Sequence, residues 1–186
     1  MTQPKKKKHK KPKKKIILEE KDVYLYQDDL NGCEEYINSN FSEPTQALYR
    51  WTKAPTKPSD LVPQYYLKKE EDDALGLEPT VEERVERNTV SMYTSEEASR
   101  IAYNGVLNRL DKKDKQELND SSSGHKAEFI DRCGLYVSRF NLTAEDALVG
   151  KENKRGHVNV ILKRKFDFDK CLDQDFGTKK ILEDEV

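Results

Sequence analysis

Thr89–Leu110 reads TVSMYTSEEASRIAYNGVLNRL, and the fold turns on the join inside it. Thr89–Tyr93 is rich in β-branched and aromatic residues, the composition of a strand. Thr94-Ser95-Glu96-Glu97 follows at once. A threonine with a glutamate three residues later is a capping box, in which each side chain satisfies a backbone N–H at the start of a helix. Beyond it Ala98, Ile101, Ala102, Val106, Leu107 and Leu110 recur at helical spacing. The stretch predicts a strand that becomes a helix at 93–95. The helix runs from 95 to about 110, and the charged Lys112–Leu118 can extend it.

Upstream of the join, Asp22–Gln27 alternates and predicts a strand. Asp28-Asp29 predicts a short helix through CEEYINSNF, with Asp29 as N-cap. Thr45–Trp51 predicts a strand with Ala47, Tyr49 and Trp51 on one face and Leu48 and Arg50 on the other. Thr52–Pro63 holds Pro55, Pro58 and Pro63, so it is expected as a surface loop or extended lid. Gln64–Leu67 is a short Tyr-rich piece, and Val81–Asn88 predicts a helical turn.

Downstream, His125–Cys133 predicts a helix with Ala127, Ile130 and Cys133 inward, stopped by Gly134. Leu135–Leu142 predicts a strand, and Thr143–Asp146 a short helix that Gly150 ends. Val158–Lys163 alternates as a strand, and Phe166 and Phe168 continue the alternation. Strands and helices mix without a regular βαβ rhythm. The predicted fold class is therefore α+β: a small single domain with an antiparallel or mixed sheet and a few helices. The expected organisation is a disordered Lys-rich arm at 1–15, the domain at 16–172 and a charged tail at 173–186.

The charge is divided along the chain. Lys and Arg total 34 against 35 Asp and Glu, yet nine of the lysines lie in the first fifteen residues. They are Lys5, Lys6, Lys7, Lys8, Lys10, Lys11, Lys13, Lys14 and Lys15. Without them, 25 basic residues face 35 acidic ones, a net charge of about −10 on the remainder. A flexible cationic arm neutralises phosphates and releases counterions, whatever their sequence. These lysines are the expected nucleic-acid contacts. Their segment carries no aromatic residue, so it predicts no base stacking.

Cys33, Cys133 and Cys171 are odd in number and widely spaced, which is no disulfide framework and suits a reducing compartment. No CxxC occurs, so no metal is expected. The longest apolar runs are three or four residues, far short of the roughly 20 a membrane span needs. Ile16–Leu18 is likewise shorter than the roughly 7–15 apolar residues of a signal peptide. The expected location is the cytoplasm, or the nucleus where the cell has one.

Arg50 stands beside Tyr49 and Trp51, where a guanidinium can fork onto a phosphate or carboxylate while stacking on rings. The plainer reading is an arginine at a strand rim. Ser91, Tyr93, Thr94 and Ser95 sit where a strand meets a helix N-terminus, which attracts anions but also simply needs capping. His125 and His157 each follow a glycine and are bases in principle. No HExxH and no His/Cys cluster accompanies them. The weak catalytic candidates are thus Arg50, Ser91 and His157.

Arg50 on one strand, a Ser or Thr at the end of another and a later polar strand resemble the arrangement of ADP-ribosyltransferase-like domains. Such domains bind NAD with an arginine or histidine on one strand, a serine or threonine on a second, and an acid near the end. No residue of this chain is identified as that acid.

Two functions follow as expectations. The first is a non-enzymatic binding or accessory subunit without cofactor, tethered by its arm to nucleic acid or another polyanion and contacting a protein partner through its acidic, Tyr-rich body. The second is a small enzyme acting on a nucleotide or phosphate substrate, of ADP-ribosyltransferase-like or toxin type, using Arg50 and the 91–95 turn. The two part on geometry, since the enzyme needs Arg50, Ser91 and a histidine or acid around one cleft.

Overall fold

Val90–Tyr93 forms a strand and Glu96–Gln116 a helix of 21 residues, so the join forms where the sequence puts it. The structure is a computed structural model that describes residues 24–63, 79–116 and 124–181. The lysine arm and the Tyr-rich piece at 64–67 lie outside the described residues.

The helices are α1 Gln27–Leu30, α2 Glu34–Asn40, α3 Val81–Arg87, α4 Glu96–Gln116, α5 His125–Cys133 and α6 Phe168–Cys171. The strands are β1 Phe41–Ser42, β2 Leu48–Thr52, β3 Val90–Tyr93, β4 Tyr136–Phe140, β5 Ala147–Gly150, β6 His157–Leu162 and β7 Thr178–Lys180. A 3₁₀ turn spans Pro58–Leu61 within the proline-rich loop. The seven strands form one sheet in the order β1-β5-β6-β3-β2-β4-β7. Every pairing is antiparallel, so the α+β class stands and the sheet is not mixed.

Strand alternation divides the core. One face carries Leu48, Val90, Met92, Phe140, Ala147, Val158, Val160 and Leu162 in a single apolar cluster with Leu61 and Cys171. The other face packs under helices. Ile161 meets Leu30, Cys33, Ile37 and Val85 of the α1–α3 region. Val137 meets Tyr103, Leu107 and Phe129 of α4 and α5, with Tyr49 and Trp51 packed alongside. Full burial of one such side chain stabilises by about 1.5–3 kcal/mol, and these clusters carry the fold.

Several elements differ from the sequence reading. Tyr24 forms an isolated bridge to Lys163, and in the described part of the expected strand at 22–27 α1 begins at Gln27. Asp29 lies inside α1 instead of capping the next helix, whose N-cap position is Cys33. Thr143–Asp146 is a turn that leads into strand β5, not a helix: Asp146 accepts from the Thr143 N–H and hydroxyl and ties the turn shut. Phe168 begins α6 because Asp167 caps it, accepting from the N–H groups of Asp169 and Lys170. Residues 173–181, read as part of a charged tail, supply edge strand β7 and the buried Ile181.

The helix phases also shift. The buried residues of α4 are Ser99, Tyr103 and Leu107, while Ile101 is 64% exposed. In α5 the buried residue is Phe129, not Ala127. Gly134 ends α5 as expected, at φ 79°. A Cβ there would sit 2.0 Å from the Thr52 carbonyl oxygen, so the close approach of α5 to β2 requires glycine.

Candidate functional site

The sheet is split at its centre. β2 and β4 pair over five residues, and β3 and β6 over four. β2 and β3 share a single pair, Tyr49↔Tyr93. Beyond it the strands diverge, and the Arg50 side chain fills the gap. Its Nη1 donates to the Ser91 carbonyl at 2.6 Å, taking the place of a ladder partner. Its Nε donates to the Asp60 carbonyl at 3.0 Å and so ties the 3₁₀ turn to the split.

A cavity of about 360 Å³ opens at this point. Arg50, Ser91, Tyr93 and His157 come to it from the strands, Asp60 from the 3₁₀ turn, and Arg132 and Cys133 from α5. Arg50, Ser91 and His157, three candidates from distant parts of the chain, therefore meet around one cleft. Strand register explains the last two. Ser91 lies opposite Asn159 and Tyr93 opposite His157, so all four share one face. His125 does not reach the cleft; its N–H donates to Asp114 at 2.8 Å at the start of α5. The nucleic-acid candidates, Lys5 to Lys15, lie outside the described residues.

Aromatic rings form one wall. Trp51 stacks on Tyr93 at 5.2 Å and 28°, and meets Tyr103 and Phe129 edge-on. Trp51 is fixed because its indole N–H donates to the Ser99 carbonyl at 3.0 Å. The His157 ring stands edge-on to Tyr93 at 5.6 Å.

The described residues line the cleft with two guanidiniums, Arg50 and Arg132, and one carboxylate, Asp60. Among the described residues, no carboxylate forms an ion pair with Arg50 or Arg132. Asp60 is adjacent, but its carboxylate accepts from the Lys57 N–H. Burial pulls the Arg50 guanidinium below its ordinary range, though an arginine there stays charged. Burial pushes the Tyr93 hydroxyl up to about 12, with the Arg50 charge opposing, so Tyr93 is neutral and a donor. Burial first, and then the Arg50 charge, hold His157 below the usual imidazole value of 6.5. His157 therefore takes up a proton less readily than a free imidazole. Its ring nitrogens have no hydrogen-bond partner among the described residues.

The 91–95 turn divides between two roles. The Ser91 hydroxyl faces the cleft, while Thr94 and Ser95 line a neighbouring groove. The capping box expected of Thr94 and Glu97 does not form. Ser95 caps α4 instead, its hydroxyl accepting from the Ala98 N–H at 3.0 Å. The Thr94 hydroxyl donates to the Glu152 carboxylate at 2.8 Å. Asp60 is the acid that lines the cleft among the described residues, and it is engaged as above.

Sequence reasoning missed Arg132 and gave Cys133 no role at the site. Both lie in the last turn of α5, and only that helix's docking against the split brings them to the cleft. Among the described residues no three His, Cys, Asp or Glu side chains gather as a metal site. No described helix is long and apolar enough to cross a membrane. Comparison with protein-family models, curated proteins and solved structures finds no significant match.

Proposed function

We propose that the protein is a small enzyme that binds a phosphate-bearing, nucleotide-type substrate in the split-sheet cleft. The observation that carries this reading is Arg50: a half-buried guanidinium at the cleft, held by two carbonyls, with no carboxylate ion-paired to it among the described residues. Arg132 supplies a second cation at the rim. The Trp51–Tyr93 stack offers an apolar flank for a planar ring. His157, whose ring nitrogens have no hydrogen-bond partner among the described residues, is the group suited to accept a proton from a bound substrate. The ADP-ribosyltransferase-like version of this reading needs an acid that is not identified here, Asp60 in the cleft being engaged by the Lys57 N–H, so the broader phosphate-substrate reading is the one put forward.

The test is calorimetric titration with pyrophosphate, ADP and NAD. Arg132 is exposed and His157 is half-buried, so Arg132→Ala and His157→Gln leave the fold intact. A hydrogen bond to a charged group is worth about 1.5–3 kcal/mol, so Arg132→Ala is expected to weaken an anion roughly tenfold or more. Equal affinity in wild type and both variants, or no affinity for any of the three ligands, rejects the reading.

The charge split supports a second role, tethering to nucleic acid or another polyanion through Lys5 to Lys15, with a protein partner on the acidic body. A chain whose nine arm lysines are replaced by glutamine measures it. Duplex affinity should lose its steep salt dependence, which is about −0.9 in log–log slope per phosphate neutralised.

A further inference from the structure

A second cavity of about 900 Å³ adjoins the cleft, and Tyr93, Val106 and His157 line both. Its near wall is the outer face of α4, from Ala98 past Ile101 and Gly105 to Arg109. Its far wall is the β5–β6 turn. Asn153 holds that turn, its side-chain oxygen accepting from the N–H groups of Arg155 (2.8 Å) and His157 (3.1 Å). Gly156, at φ 71°, seats the turn on α4, where a Cβ would meet the Ala98 Cβ at 2.8 Å.

Two features of this groove have no explanation among the described residues. Ile101 is 64% exposed at the middle of its wall. Gly105 lies in the interior of a 21-residue helix, where glycine is less stable than alanine. A Cβ at Gly105 would meet nothing within 4 Å, so no packing inside the protein calls for glycine. Close approach by something from outside would account for both.

The charges indicate what approaches. Arg109, Lys154 and Arg155 line the groove, and none forms an ion pair among the described residues. Glu97 and Glu152 are its acids, and Glu152 accepts the Thr94 hydroxyl. A local excess of cations on a chain whose residues outside the lysine arm are net acidic favours a polyanion.

We propose that this groove seats single-stranded nucleic acid. The phosphodiester backbone runs between Arg109 and the Lys154–Arg155 turn, a base or sugar lies on Ile101 and Gly105, and the strand end reaches the cleft past Tyr93 and His157. The last element rests on the reading of the cleft as a phosphate site. The arrangement unites a basic track with apolar and aromatic contact surface, the pattern of sequence-tolerant single-strand binding.

Fluorescence anisotropy with a labelled single-stranded RNA of about twelve nucleotides tests it. The background is the full chain with its nine arm lysines replaced by glutamine, which isolates the groove. RNA should still bind, and R109E/K154E/R155E should weaken it at least tenfold. Gly105→Leu should weaken it several-fold while leaving the melting temperature unchanged or raised, because its side chain enters open space. Loss of all binding on neutralising the arm overturns the proposal, as does unchanged affinity in the triple variant or in Gly105→Leu. Equal competition by an acidic peptide of the same charge also overturns it. Pyrophosphate titration of the same proteins reports the cleft separately. RNA binding without pyrophosphate binding refutes the cleft reading and leaves the groove standing; the converse refutes the groove alone.

Discussion

His157 is the residue whose chemistry is most open to measurement. Its imidazole sits below 6.5 in the folded protein because it is desolvated and faces Arg50. Well above pH 6.5 it is neutral whether the chain is folded or not, and contributes nothing to pH dependence. As pH falls through the unfolded value, the unfolded chain takes up its proton first, and stability declines until the folded value is passed. Melting temperature measured against pH should show this loss, and His157→Gln should remove that component of it. A phosphate bound at Arg50 supplies negative charge beside the ring and should move the His157 titration upward, which proton NMR of the ring detects. Tyr103 offers a structural contrast. Its hydroxyl is buried and donates to the Gly134 carbonyl at 2.6 Å. Tyr103→Phe strands that carbonyl and should cost about 1–3 kcal/mol in denaturant unfolding, without moving the His157 titration.

At the scale of the element, the start of α4 separates two hydroxyls that the sequence makes equivalent. Ser95 caps the helix, so Ser95→Ala should cost about 1 kcal/mol of stability. Thr94 binds Glu152 and the Gly156 carbonyl across the β5–β6 turn, so Thr94→Ala should instead loosen that turn. Hydrogen exchange at residues 152–157 separates the two outcomes. The difference shows what was legible in advance. The join itself was, since alternation and helical spacing are local signals. The residue that caps was not, because Glu152 competes for Thr94 from 58 positions away. The phase of α4 shifted for a related reason. Tyr103 is large enough to decide which face goes inward, and Ile101 is left outside. β5 was hidden behind a helix-like start at Thr143, and β7 behind charge, since an edge strand needs only one apolar anchor. Ile181 is that anchor, at 4% exposure. Ile181→Asp should release β7 and lower the melting temperature, leaving the β1-β5-β6-β3 half of the sheet with its exchange protection.

At the scale of the molecule, the site was legible as a set of residue types and invisible as a place. Arg50, Ser91 and His157 were singled out for their chemistry alone. They meet because antiparallel register sets His157 against Tyr93 and because β2 and β3 part after one pair. That parting has a further consequence. An open sheet has two edges to protect from other chains; this one also has a weak seam at its centre, where β2 and β3 share a single pair. The Arg50 fork and the 3₁₀ turn it holds cover that seam. Removing Arg50 would therefore do more than empty an anion seat. It would bare the backbone groups of a strand in the middle of the protein, the kind of template on which chains join edge to edge. Arg50→Ala is expected to self-associate on warming, seen as light scattering before unfolding, whereas Arg132→Ala stays monodisperse. The side chain proposed to meet a small anion is thus also the one that occupies backbone carbonyls between β2 and β3.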